Sequence, residues 1–202
     1  MRVISADCHV NEPPWVFDRV PSAYRDRAPK MMRGADGGDG WSFDGRPPAR
    51  TFGVEAMAAD LDLVGRLADA SHLAVLATVR PDGSVHASLV SAGVMDDPVS
   101  GEPSVAAVVG GATRKLVHLR RAGRATAVFT QGWEWVAVEG RVRLIGPDDP
   151  DEAMPPVALP GLLRHVFVAA GGTHDDWDEY DRVMAAERRT AVFVHADRIS
   201  GN

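Results

Sequence analysis

The rhythm of apolar positions changes at about residue 54. Before that point, apolar residues come in short stretches among Pro, Gly, Asp and Arg (NEPP, GADGGDG, GRPPAR), too sparse to enclose a core. Residues 30–45 have the pattern of a brief hairpin, with GADGGDG as its loop. After residue 54 the pattern becomes regular. Met57, Leu61, Val64 and Leu67 recur at spacings of four and three, which predicts an amphipathic helix from about residue 54 to 70. HLAVLATVR and SVHASLVSAGVM follow as two β-rich runs joined at Pro81-Asp82-Gly83, the strongest hairpin signal in the chain.

Further strands are predicted at 104–109, 124–130 and 133–144, with a short helix at 113–121. The strand at 133–144 sets Trp133, Trp135, Ala137 and Glu139 against Glu134, Val136 and Val138, so one face is expected buried and the other partly wet. A Pro-rich linker at 146–156 leads to the apolar segment LPGLLRHVFVAAGG, and residues 175–189 read as a helix. Thr173 with Asp176 resembles its capping box, and Glu187, Arg188 and Arg189 fall in its last turn. A final strand spans 190–196. Six strands with few helices and short connections predict a mainly β, six-stranded antiparallel barrel with an irregular N-terminal extension. The expected domains are an extension at 1–55 and a barrel at 56–202.

Composition narrows the function more than the fold. With 22 basic and 28 acidic residues the net charge is −6, which disfavours nucleic acid as a partner. The single cysteine, Cys8, leaves no internal disulfide framework, and MRVISADCHV lacks the apolar run of a signal peptide or membrane span. A cytoplasmic protein without a membrane partner is expected.

One local pattern points to an anion. Thr113, Arg114 and Lys115 open a predicted helix directly after Gly110-Gly111. Backbone N–H groups, a hydroxyl and two cations therefore converge at the positive end of a helix dipole. The alternative is a capped surface helix whose cations are merely solvated. Core or dimer packing is expected of Trp133 and Trp135, and a surface position of His118. Among the sequence patterns there is no Ser/His/Asp triad, C-x-x-C pair, Walker loop or G-x-G-x-x-G after a strand, so no catalytic residue is assigned.

LAVLATVRPDGSVHASLV, TRKLVHLRRAGRATAVF, WEWVAVEGRVRLIG and WDEYDRVMAAERRTAVFVHADRISGN stand in an order and spacing that resemble the pyridoxamine 5′-phosphate oxidase-like superfamily of split β-barrel flavoproteins. Within it, the resemblance is to the actinobacterial branch that uses the deazaflavin coenzyme F-420. The likeness covers residues from about 60 to 202. It implies a homodimer with the cofactor at the subunit interface, a phosphate held by Thr113, Arg114 and Lys115, and a ring lying beside His86, Ala87, Ser88 and Leu89. It also implies a hydride transfer between the deazaflavin and a small unsaturated organic substrate. FMN is the alternative cofactor, and a non-catalytic split barrel that carries flavin, deazaflavin or haem is the alternative class.

Residues 3–50 separately resemble the opening of amidohydrolase-related metal enzymes, in which a strand ends in D-x-H, matched here by Asp7 and His9. Two such side chains on one strand face can approach a metal ion, but a hydrolytic centre needs three or four ligands. The other histidines follow no metal spacing. An arm without a working metal centre is expected.

Overall fold

The computed structural model describes residues 21–27, 30–33, 39–42, 46–47 and 61–201. The chain divides into two units, 1–56 and 57–202. In the first, a 3-10 helix (Ser22–Arg27) precedes a hairpin of β1 (Lys30–Arg33) and β2 (Asp39–Ser42), paired antiparallel from Lys30↔Ser42 to Arg33↔Asp39. The loop is shorter than predicted, because Asp39 and Gly40 stand opposite Arg33 and Met32 in the ladder. Asp7 and His9 lie outside the described residues, as does the start of the predicted helix with Met57.

The second unit begins with α1 (Leu61–Ser71), which buries Val64 and Leu67 as the periodicity predicts, together with Ala68, whereas Leu61 at its first position is exposed. The hairpin of β3 (Leu73–Val79) and β4 (Val85–Ser91) follows, then β5 (Gly93–Asp96) and β6 (Pro103–Val109). Next come α2 (Arg114–Ala122), β7 (Arg124–Gln131) and β8 (Glu134–Ile145). Helices α3 (Leu159–Ala169) and α4 (Trp177–Ala186) precede β9 (Thr190–His195) and β10 (Arg198–Gly201). The architecture is mainly antiparallel β with a few helices, as expected, but the sheet has eight strands rather than six. The predicted run 84–95 is broken at Ala92, and β10 is an additional strand on β8.

The strand order β4-β3-β7-β8-β9-β6-β5 explains that break. The two ends of the path, β4 and β5, are consecutive pieces of one run, so the sheet curls until its ends meet at buried Ala92. There the Ala92 N–H donates to the His72 carbonyl at 3.0 Å. Strand β8 is long enough to split its partners: Glu134–Arg141 pairs with β7, whereas Val142–Ile145 pairs with β9 and Val136–Glu139 with β10. Gly140 sits where β9 turns into β10, and a Cβ there would overlap the His195 carbonyl.

Two cores flank β9, which is buried at every position. Val192 and Val194 join Leu67, Leu76, Leu116, Phe129 and Val136 inside the barrel. Ala191 and Phe193 face outward against Leu162, Val166 and Tyr180 of α3 and α4. A continuous apolar run such as TAVFV suits a strand covered on both sides. By contrast, the outer face of β3 and β4 is uncovered. Val79 is 45% and its cross-strand partner Val85 62% exposed, with Val75 and Leu89 paired beside them.

Helix α4 is shorter than predicted at both ends. Its N-cap is Asp176, whose carboxylate accepts the N–H groups of Asp178 and Glu179 at 3.0 and 2.9 Å, so Thr173 lies outside the helix. Its last helical residue is Ala186. Arg188 takes a left-handed φ of 49°, and the N–H groups of Arg188 and Arg189 return to the carbonyls of Ala185 and Met184. This is a Schellman turn with an arginine where glycine is usual, and it sends Arg189 off the helix axis.

Candidate functional site

The end of β6, the glycine pair after it and the first turn of α2 form one wall of a cleft of about 680 Å3. The end of β4, through Leu89, Val90 and Ser91, forms the second. Phe167 of α3 with Tyr180 and Met184 of α4 forms the third, and Glu187 and Arg189 complete the rim. The volume is that of an ordinary small-molecule or cofactor site.

Of the residues expected to hold a phosphate, the structure brings Thr113 and Lys115 to this cleft. Thr113 has extended backbone and caps α2 through position alone. Its hydroxyl donates to the Gly110 carbonyl at 2.9 Å, and the first-turn N–H groups have no side-chain cap. Lys115 is half-buried, and its ammonium makes no hydrogen bond or ion pair among the described residues. Burial, with the Arg189 charge behind it, holds that ammonium below the usual lysine range. An anion in the cleft would relieve both effects.

Arg114 is not brought to the cleft. It is exposed, and its charge acts on His118 one turn further along. Of the β4 residues, Leu89 reaches the cleft, while His86, Ala87 and Ser88 do not. Position along β4 is the reason: the cleft lies at the end of the strand, where Leu89, Val90 and Ser91 from both faces line it, and His86, Ala87 and Ser88 come earlier in the strand. The surface position expected of His118 is overturned. It is 6% exposed, its Nδ1 lies 3.1 Å from Thr78 Oγ1, and its ring meets the edge of His86 at 5.4 Å. Burial, followed by the charges of His86, Arg80 and Arg114, disfavours its protonation. His86 Nδ1 and Ser88 Oγ are buried without a hydrogen-bond partner. Trp133 is exposed and so is not a core residue.

Sequence reasoning missed the contribution of α3, α4 and the turn after α4. The aromatic wall is self-supporting: Phe167 and Tyr180 rings lie 4.9 Å apart, and the Tyr180 hydroxyl donates to the Leu163 carbonyl at 3.1 Å. Burial pushes that phenol up to about 12, so it stays protonated and engaged. Arg189 was expected within the last turn of α4 and instead faces the cleft. Its Nε donates to a Glu187 carboxylate oxygen at 2.7 Å, and a terminal nitrogen lies 2.6 Å from the same oxygen in the ion pair. The RR pair between an amphipathic helix and an apolar strand was the available signal.

A second charged cluster lies at the far end of β9. His195 places Nε2 2.9 Å from Asp97 Oδ2 and Nδ1 2.6 Å from Glu102 Oε2, while Arg143 donates to the same Asp97 oxygen at 2.7 Å. Asp97 is fully buried. Burial alone would raise its carboxyl, but the Val99 N–H and the Arg143 guanidinium outweigh that and hold it below the usual range. Every member faces an oppositely charged or hydrogen-bonding partner, so the cluster ties the β5–β6 loop to β9 and β8. Among the described residues no group of three or more His, Cys, Asp or Glu side chains is arranged to hold a metal ion, and no helix there is long and apolar enough to cross a membrane.

Comparison with known proteins supports this architecture. Residues 64–158 match the family model described as pyridoxamine 5′-phosphate oxidase. A solved structure of a conserved hypothetical protein from Mycobacterium tuberculosis superposes with a TM-score of 0.54 at 20% identity, over 75% of this chain and 89% of that one. A candidate 5-nitroimidazole antibiotic resistance protein from Bacteroides thetaiotaomicron gives 0.51 at 14% identity, over 70% and 82%. These two likenesses establish the shared split-barrel fold. The family match spans β3 to β8 and includes Gly110 to Lys115, but stops before α3, α4 and Arg189.

Proposed function

We propose that the protein is a cytoplasmic, homodimeric oxidoreductase that binds coenzyme F-420 and transfers a hydride between the deazaflavin and a small unsaturated organic substrate, with FMN as the alternative cofactor. One observation carries the reading. An unpartnered, half-buried Lys115 stands beside a glycine pair and an uncapped helix start, in a cleft whose remaining walls are largely apolar. That combination suits a ligand with one anionic group and one flat apolar body.

In this reading Lys115 and the first-turn N–H groups of α2 bind the phosphate, with Thr113 shaping the turn. Leu89 and the Phe167–Tyr180 wall exclude water from the ring. A bound deazaflavin or flavin supplies the hydride chemistry itself. The uncovered face of β3 and β4, with Val75, Val79, Val85 and Leu89, is assigned to the second copy of the chain. Leu89 belongs to both that face and the cleft, which fits a cofactor held next to the subunit boundary.

The test is titration of the purified protein with F-420 and with FMN, alongside its absorption spectrum after expression in a host that makes both. Micromolar binding of at least one is expected, weakened roughly ten- to a hundredfold by Lys115→Ala as a charge-assisted bond is lost. Absence of binding to either overturns the proposal. A carrier without turnover is the second reading, favoured by the Tyr180 hydroxyl being locked onto Leu163 and unable to serve as a proton donor. Oxidation of bound reduced cofactor by enones or quinones would exclude it.

A further inference from the structure

Three observations converge on the turn after α4. The Gly111 N–H donates to the Glu187 carbonyl at 3.1 Å, and a Cβ at Gly111 would come within 2.5 Å of the Arg188 carbonyl oxygen. The glycine loop and the end of α4 are therefore docked backbone to backbone. The Schellman turn at Arg188 then directs Arg189 back over that loop, where a Cβ on Gly110 would lie 3.8 Å from Arg189 Nε. Finally, Glu187 holds the guanidinium by one hydrogen bond from Nε within a close ion pair, which fixes it at the cleft rim.

Resting on the cofactor reading above, we propose that Arg189 is the second cation of the anion site, and that its ion pair with Glu187 sets the charge of the site. Lys115 and Arg189 less the Glu187 carboxylate leave one net positive charge in the cleft. A phosphodiester carries one negative charge, whereas a terminal phosphomonoester carries close to two near neutral pH. The site is matched to the diester, which is the linkage in F-420, and FMN with its monoester is the poorer fit. Glu187 is a positioning residue. It orients the planar guanidinium fork for a bidentate grip on phosphate oxygens, and it offsets one cation so that the dianion gains less.

Calorimetric titration of the full chain with F-420, FMN and phosphate-free riboflavin tests the proposal in wild type, Arg189→Ala, Arg189→Lys and Glu187→Gln. Arg189→Ala should weaken F-420 and FMN by roughly ten- to a hundredfold and leave riboflavin unchanged. Arg189→Lys should recover part of the loss, because charge returns without the fork. Glu187→Gln should strengthen FMN more than F-420. Unchanged binding of both phosphate ligands to Arg189→Ala overturns the role of Arg189, while loss on Lys115→Ala would leave the cofactor reading standing. An equal response of the two cofactors to Glu187→Gln overturns the charge matching. Failure of the wild type to bind either cofactor removes both proposals together.

Discussion

At the scale of single residues, two buried groups contribute to the acid response of the protein in different pH windows. His118 is neutral in the folded barrel, with its protonation disfavoured by burial and neighbouring cations. Below its ordinary value of 6.5 the unfolded chain takes up a proton that the folded chain refuses, so stability falls as pH drops from there. Asp97 acts in a lower window. Its folded carboxyl lies below 3.8, so its contribution is present above that value and is lost as pH falls through the depressed folded one. Chemical denaturation between pH 7.5 and 5 should show the first slope in the wild type and a flatter one in His118→Gln. An unchanged slope in that variant would assign the effect elsewhere. Neither role was legible in the sequence. His118 sits in RKLVHLRRA, a polar stretch, and its partner Thr78 is a strand away. Asp97 and His195 are joined only by the pairing of β6 with β9.

At the scale of elements, the apolar run that became β9 was readable, and so were both strands of the β3–β4 hairpin around Pro81-Asp82-Gly83. What escaped were features decided by partners. The break at Ala92 exists because one half of the run pairs with β3 and the other with β6, a choice that local pattern does not carry. The end of α4 escaped because an arginine occupies the left-handed position where glycine would have announced the stop. The two-sided burial of β9 has a measurable cost. Phe193→Ala empties a site with no solvent exposure between β9 and the helices, and denaturant unfolding should register a loss of about 3–5 kcal/mol. Val183→Ala, on the exposed side of α4, should stay within about 0.5 kcal/mol.

At the scale of the whole molecule, the open face of β3 and β4 sets the expected assembly. Replacing the cross-strand pair, Val79→Glu with Val85→Glu, puts two carboxylates on that face without touching the core or the cleft. Light scattering should then report a monomer where the wild type reports a dimer, with the far-ultraviolet spectrum retained. A wild-type monomer, or a variant that still dimerises, would remove that face from the assembly. An antiparallel barrel was legible, because hairpin signals and short connections leave few other ways to arrange the strands, while its split form came from the family resemblance. The position of the cleft was legible only in part, since Thr113, Lys115 and Leu89 are local but Phe167, Tyr180 and Arg189 reach it through the packing of α3 and α4.

The place of β9 between β6 and β8 also has a consequence in time. The β3–β4, β5–β6 and β7–β8 pairs join neighbours in the chain and can form early, whereas β9 must find β6 across a long loop of chain. Until it does, both partners present open edges, and the turn that carries Arg189, one residue ahead of β9, is not yet held against the glycine loop. Ligand affinity should therefore appear with the slowest folding phase and not before it, which makes cofactor capture a reporter of barrel closure.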